Sequence, residues 1–200
     1  MFNPTVNHIC NKCFSEIIRA ELPVADANSV LEVKSTNLRT VMAPFKYTDG
    51  ITNSILDLKY GHCDLAAQAF APFMRELVKV EDYDLIIPIP LSKSRLRERG
   101  YNQAYLIAKN VFENHKHKVR QDIVDKAKKT TPQTKMTTSE RVANQDGAYT
   151  VKKPFAVEGK RVLLVDDVIT SGATTSEVAT VLMEAGANYI DALSIARVNG

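Results

Sequence analysis

This sequence predicts an α/β fold, a mostly parallel twisted sheet flanked by helices, with a small N-terminal appendage. Three observations point there. Short apolar strands alternate with helical segments along the chain. Arg161 to Val165 is an unbroken apolar, β-branched run after its first residue, which suits a strand covered on both faces. It ends in a polar loop, as does the strand that stops at Pro88, and ligands of such sheets bind beyond the carboxyl ends of the strands.

Residues 1–42 differ from the rest and are read as the appendage, and residues 43–200 as the main domain. Cys10-Asn11-Lys12-Cys13 is a CxxC knuckle, and Leu31 to Met42 reads as two short strands about a polar turn. Ile51, Ile55 and Leu58 stand at helical spacing in Gly50 to Tyr60. A second helix starts at Asp64, with Leu65, Ala69, Phe73 and Leu77 on one face and Pro72 expected to kink or divide it. Tyr83 to Ile87 is a core strand ending at Pro88, Tyr101 to Phe112 a helix, and Asp146 to Val151 a strand. Arg161 to Val165 follows and ends at Asp166 and Asp167. A helix from Ala173 closes at Gly186, and a last strand lies near Ile190 to Val198.

Composition sets bounds. Two hundred residues, 44% hydrophobic and 24% charged, suit one domain that buries a full core. The net charge of +3 implies no polyanion partner by itself, but Ser92 to Arg141 holds thirteen Lys and Arg against five Asp and Glu. That basic third reads either as a solvated surface or as an anion-binding face. The three cysteines do not form a disulfide framework, and no secretory leader or apolar span of membrane length is visible, so a cytoplasmic protein is expected.

The chemistry concentrates in Arg161 to Glu177, RVLLVDDVITSGATTSE. Asp166 and Asp167 end the strand, where they could accept hydrogen bonds from a ribose diol. Thr170, Ser171 and Gly172 form a loop leading into a helix, so backbone N–H groups, the hydroxyls of Thr170, Ser171 and Thr174, and the helix dipole converge on one anion. Neither GxxxxGK[ST] nor GxGxxG occurs, which excludes a Walker A loop and leaves a dinucleotide fold unsupported. A second constellation is Ile87-Pro88-Ile89-Pro90-Leu91 followed by Arg95, Arg97 and Arg99. Paired prolines build a rigid loop, and guanidinium forks suit phosphate oxygens, so this region reads as a pyrophosphate grip.

VLLVDDVITSGATT resembles the 5-phosphoribosyl 1-pyrophosphate (PRPP) signature of type I phosphoribosyltransferases. Together with IPIPL, RxRxRGYNQA, TTPQTKMTTSERVAN, APFKYTDG and LKYGH, it resembles the ComF (ComFC-like) competence proteins over roughly residues 43–198. The resemblance implies a type I phosphoribosyltransferase-like sheet and a bacterial role in DNA uptake. It assigns Asp166 and Asp167 to the ribose hydroxyls, with Mg²⁺ held mostly through ligand and water. Val168, Ile169, Thr170, Ser171, Gly172, Ala173 and Thr174 become the 5′-phosphate loop, and Pro88, Ile89, Pro90 and Leu91 the pyrophosphate loop. Arg97 and Arg99 are its basic partners.

The same resemblance reads Lys126 to Asn144 as a hood, with Lys128, Thr130, Gln133 and Arg141 among its residues; a polar, Thr-rich stretch suits a lid that excludes water. Lys126, Lys128 and Lys129 stand where relatives tend to carry arginine, which keeps charge but loses the bidentate fork. The family's finger uses two CxxC pairs for Zn²⁺, whereas only Cys10 and Cys13 are present here, with His8 at a cramped spacing. The competing reading is a degenerate, metal-free hairpin.

Two functions follow from the resemblance. One is phosphoribosyl transfer from PRPP to an acceptor that the residues do not reveal. The alternative is a non-enzymatic PRPP sensor that binds single-stranded DNA through its basic face, with Tyr101 and Tyr105 available for stacking, or partners a competence helicase.

Overall fold

A computed structural model describes residues 17–33, 36–61, 63–126 and 149–198. In chain order these form β1 (Val24–Asp26), α1 (Ala27–Val30), β2 (Thr40–Met42), β3 (Phe45–Lys46), α2 (Asp49–Tyr60) and α3 (Cys63–Arg75). There follow β4 (Leu85–Pro88), α4 (Lys93–Arg99), α5 (Gln103–Val111), β5 (Val124–Lys126), β6 (Tyr149–Val151), β7 (Arg161–Ile169), α6 (Ala173–Glu184) and β8 (Tyr189–Arg197).

The main sheet runs β1-β2-β8-β7-β4, with β3 also on β8. Every pairing in it is parallel except that of β1 with β2. Since β2 and β3 pair with successive parts of β8, they form one interrupted edge, and Pro44, which has no N–H for a ladder, stands in the break. β5 and β6 make a separate antiparallel ribbon.

Helices cover both faces, which is why the core strands are apolar without alternation. Val162 and Leu164 of β7 join Leu85 and Ile87 of β4 against Val178, Ala179 and Leu182 of α6. On the opposite face Leu163 and Val165 join Ile86 and the buried residues of α2, α3 and α5. Ile51, Ile55 and Leu58 of α2 are all buried there, as their spacing predicts, and burying a side chain of this size contributes about 1.5–3 kcal/mol.

Several expectations need correction. The strand read as Arg161 to Val165 continues to Ile169, because pairing with β8 extends as far as Ile169 opposite Arg197. Val24 to Met42, read with the appendage, supplies two strands of the main sheet, and Leu31 to Val33 is not a strand. Two three-residue strands alone leave too many backbone groups unpaired, and the exposed edge of β8 satisfies them. In α3 Ala67, Ala69, Phe70, Ala71 and Met74 are buried and Phe73 and, just beyond it, Leu77 are half-buried against the same core, so of the expected face only Leu65 is exposed. Small alanines admit the neighbouring helices there, a packing preference that side-chain size in the sequence obscures. Pro72 does not divide the helix, and Glu76 N–H still donates to its carbonyl at 3.3 Å.

No helix among the described residues is long and apolar enough to cross a membrane. Polar ties close the amino ends of the strands. Buried Asp191 accepts from Arg39 Nε at 3.0 Å and from Tyr83 Oη at 2.7 Å, and burial, followed by that bond, pushes the Tyr83 hydroxyl far above its ordinary range. Arg161 grips Asp84 through Nε and Nη2, each at 3.0 Å, and its backbone N–H donates to the same carboxylate.

Those bonds to Arg161 lower the Asp84 pKa to about 2 from 3.8. The stabilisation is therefore complete above the unfolded value and lost as pH falls through the folded one, between about 4 and 2. Both side chains are about a third exposed, so the contribution is screened to about 1 kcal/mol. Asp84→Asn is expected to lower Tm by roughly 3 °C at pH 7 and to leave that difference much reduced at pH 2; a Tm difference independent of pH would contradict the assignment.

Candidate ligand site beyond β4 and β7

The site follows from strand register. Pro88, the last residue of β4, lies opposite Val165, while β7 continues through Asp166 and Asp167 to Ile169. The acidic pair thus stands level with the loop that leaves β4, and Ile89 N–H donates to Val165 O at 2.9 Å to hold that loop in place. Asn102 secures the other side. Its Nδ2 donates to Ile89 O and its Oδ1 accepts from Ala104 N–H, so one side chain both caps α5 and anchors the loop. Ser92 caps α4, and Gly100, at φ +78°, makes the reversal between α4 and α5 that a residue with a Cβ adopts only under strain.

A cavity opens here. It is lined by Ile89, Pro90, Leu91 and Ser92, by Arg95 and Arg99 of α4 and Gln103 of α5, and by Lys59, Asp166, Asp167 and Thr174, with Lys126 and Tyr149 also on its lining. Arg95 and Arg99 share a helix face because they are four residues apart, whereas Arg97 turns away and donates from Nε to Lys93 O at 3.3 Å. Arg99 lies over the Tyr60 ring at 5.1 Å, and its Nε and Nη1 are buried without a partner among the described residues.

The acidic pair is held by the backbone. Asp167 N–H donates to Asp166 Oδ1 and Val168 N–H to Asp167 Oδ1, each at 2.8 Å. Asp166 is half-buried as a whole, yet desolvation of its carboxyl, and then repulsion from Asp167, raises its pKa well above the carboxylate range. Asp167 is buried at 6% exposure and is met by Lys59 Nζ at 3.2 Å and more weakly by Gln103 Nε2 at 3.4 Å. Lys59 and Gln103 were given no role from the sequence, whereas Arg95 was read there with Arg97 and Arg99 as a pyrophosphate grip. The spacing of Lys59 after buried Ile55 and Leu58 was the signal that could have placed it beside the cavity.

Thr170, Ser171 and Gly172 connect β7 to α6, with Gly172 at φ +83° as a cap that has no side chain to bond the first turn. Thr174 reaches the cavity. Ala173 is exposed, and Ile169 turns into the core, so its side chain is not available to a ligand. The loop is covered by the segment after α1. Glu32 N–H donates to Ser171 O at 3.2 Å, and a Cβ on Gly172 would lie 2.7 Å from Leu31 Cδ1.

Tyr101 is half-buried and donates to Leu58 O at 3.0 Å, which gives it a structural tie. Cys10, Cys13, Lys128, Thr130, Gln133 and Arg141 lie outside the described residues, so the zinc and hood expectations are not placed. Among the described residues no cluster of three or more His, Cys, Asp or Glu forms a metal cage. With Lys59 already on Asp167, the two carboxylates fit a cation held mainly by ligand oxygens and water rather than by protein alone.

Residues 96–199 match the model of the phosphoribosyl transferase domain, and the chain belongs to that family, in its ComF-type competence branch. Competence protein ComFC of Streptococcus pneumoniae is 31% identical over 157 residues, 78% of this chain and 67% of that protein. ComFC of Bacillus subtilis is 30% identical over 155 residues, covering 74% and 60%. Competence protein F of Haemophilus influenzae is 34% identical over 117 residues, covering 57% of this chain and half (50%) of its own. The type I phosphoribosyltransferase fold expected from the sequence is the fold observed.

Gly172→Ala is expected to destabilise twice over, through a φ that costs an alanine about 1–2 kcal/mol and through collision with Leu31. In a Leu31→Ala background the collision disappears and the φ cost stays. A double-mutant cycle read by denaturant melts should therefore give a smaller penalty for Gly172→Ala beside Leu31→Ala than alone; equal penalties would show that Leu31 does not press on the loop.

Proposed function

We propose that this cleft binds PRPP with Mg²⁺ and that the protein transfers the phosphoribosyl group to an acceptor, releasing pyrophosphate. The observation that carries the reading is that one cavity is lined both by the Asp166–Asp167 pair and by a guanidinium, Arg99, two of whose nitrogens are buried without a partner among the described residues. Leaving buried donors unpaired costs about 1–3 kcal/mol each, a cost that an anion with several acceptor oxygens removes.

Asp166 and Asp167 orient the ribose 2′ and 3′ hydroxyls. The 5′-phosphate lies on the Thr170 to Thr174 loop, where the uncapped first turn of α6 offers N–H groups and the positive end of its dipole. Pyrophosphate lies against Ile89 to Leu91, with Arg95 and Arg99 above it. Mg²⁺ would be held by ligand oxygens and through water by Asp166 and Asp167, and would supply positive charge against the diphosphate. As the acceptor lone pair forms its bond to C1, the C1–O bond breaks and its electron pair leaves with pyrophosphate; Arg99 stabilises that developing charge. Lys126 and Tyr149, which line the cavity, flank in sequence the residues that serve in this reading as the hood, Lys128, Thr130, Gln133 and Arg141 among them. The role in competence named for the relatives extends to this chain in the same proposal.

Calorimetry with PRPP and Mg²⁺ tests the site. Wild type should bind, and Asp166→Asn/Asp167→Asn should bind at least about tenfold more weakly, since each lost charged hydrogen bond costs about 1.5–3 kcal/mol. No binding by wild type would sink the reading. Pyrophosphate release in the presence of candidate nucleophiles then identifies the acceptor.

A further inference from the structure

We propose that Lys59 is a diphosphate-binding residue of this site, a protein-borne cation that Asp167 holds on the cavity wall until the ligand arrives. The inference deepens the PRPP reading and rests on it. Lys59 comes from the last turn of α2, far in sequence from either loop of the cleft, and its Nζ lies 3.2 Å from Asp167 Oδ2. Its side chain is 25% exposed, so the ammonium is neither loose in solvent nor sealed in the core.

The neighbours of Lys59 fix its place. Leu58 is fully buried and its carbonyl accepts from Tyr101 Oη, while Tyr60 lies beneath the Arg99 guanidinium. The last turn of α2 is therefore tied to the junction of α4 and α5 that follows the pyrophosphate loop. An ammonium has three N–H donors, and the one ion pair recorded for Lys59 occupies a single carboxylate oxygen.

Charge balance shows what the remaining donors meet. Among the described residues the cavity gathers Lys59, Arg95, Arg99 and Lys126 against Asp166 and Asp167. A surplus of cations around a partly dry cavity calls for a ligand with several negative charges. Diphosphate meets that need and a ribose diol does not. Asp167 can keep one bond to the ammonium while accepting from the diol, which leaves Lys59 bridging the sugar end of the site to the diphosphate. A built-in cation at this point also lowers the dependence of diphosphate binding on a divalent metal.

The experiment titrates inorganic pyrophosphate, ribose 5-phosphate and PRPP, each with Mg²⁺ and with chelator, into wild type, Lys59→Met and Lys59→Arg, after thermal melts establish that the variants fold. Lys59→Met should weaken pyrophosphate and PRPP at least about tenfold and ribose 5-phosphate less than about twofold, and should widen the gap between Mg²⁺ and chelator for the first two. Lys59→Arg should recover most of the loss. If ribose 5-phosphate weakens in step with pyrophosphate, Lys59 merely positions Asp167 and the proposal falls; it falls equally if pyrophosphate binding is unchanged. Should Lys59→Met not fold, failure of Lys59→Arg to outbind Lys59→Gln for pyrophosphate overturns it. Wild type that binds pyrophosphate but not PRPP would sink the PRPP reading while leaving Lys59 to be judged by pyrophosphate alone.

Discussion

The parallel pairing of β7 with β8 carries β7 past the end of its other neighbour, and the rest of the site depends on that overhang. β4 stops at Pro88 opposite Val165, yet β8 continues to support β7 as far as Ile169. Asp166 and Asp167 consequently emerge from a strand that is still hydrogen-bonded on one side and open on the other. The open side faces the Ile89 to Leu91 loop. A strand that ended with β4 would leave the acidic pair on a loop, without the ladder that holds its carboxylates level with the rigid proline turn.

Electrostatics then divides the cavity. On β7, desolvation and mutual repulsion make the acidic pair costly, and backbone N–H donors from Asp167 and Val168 together with Lys59 offset that cost. On α4 and α5, Arg99 and Gln103 keep buried polar atoms without partners among the described residues. The acidic pair is satisfied internally, whereas the Arg99 N–H groups await acceptors and Gln103 Oε1 awaits a donor, a mixed set that a ligand carrying both hydroxyls and phosphate oxygens would meet.

The edge of the sheet has a part in the site as well. Val24 to Met42 extends the sheet beyond β8, and the turn after α1 brings Leu31 and Glu32 onto the Ser171–Gly172 loop. Thr36 and Asn37 add bonds to Ser176 and Thr180 of α6. The Ser171–Gly172 loop is thereby braced from outside.

Much of this was legible in the sequence because it was local. The apolar runs of β4 and β7, the helical spacing of Ile51, Ile55 and Leu58, the paired prolines and the Asp-Asp loop each reflect a few adjacent residues and their own backbone preferences. The adjacency of the two loops could be anticipated from α/β topology alone. Pairings between distant segments were hidden: Lys59 on Asp167, Leu31 on Gly172, Arg95 rather than Arg97 beside Arg99 at the cavity, and β2 on β8. None of these has a composition or period of its own. By itself the sequence determined the phosphoribosyltransferase class and where the loops after β4 and β7 fall, since those are set by short-range chemistry. Only the tertiary structure decided which cation sits on the acidic pair and what braces the phosphate loop, because long-range contacts depend on the register and packing of the whole sheet.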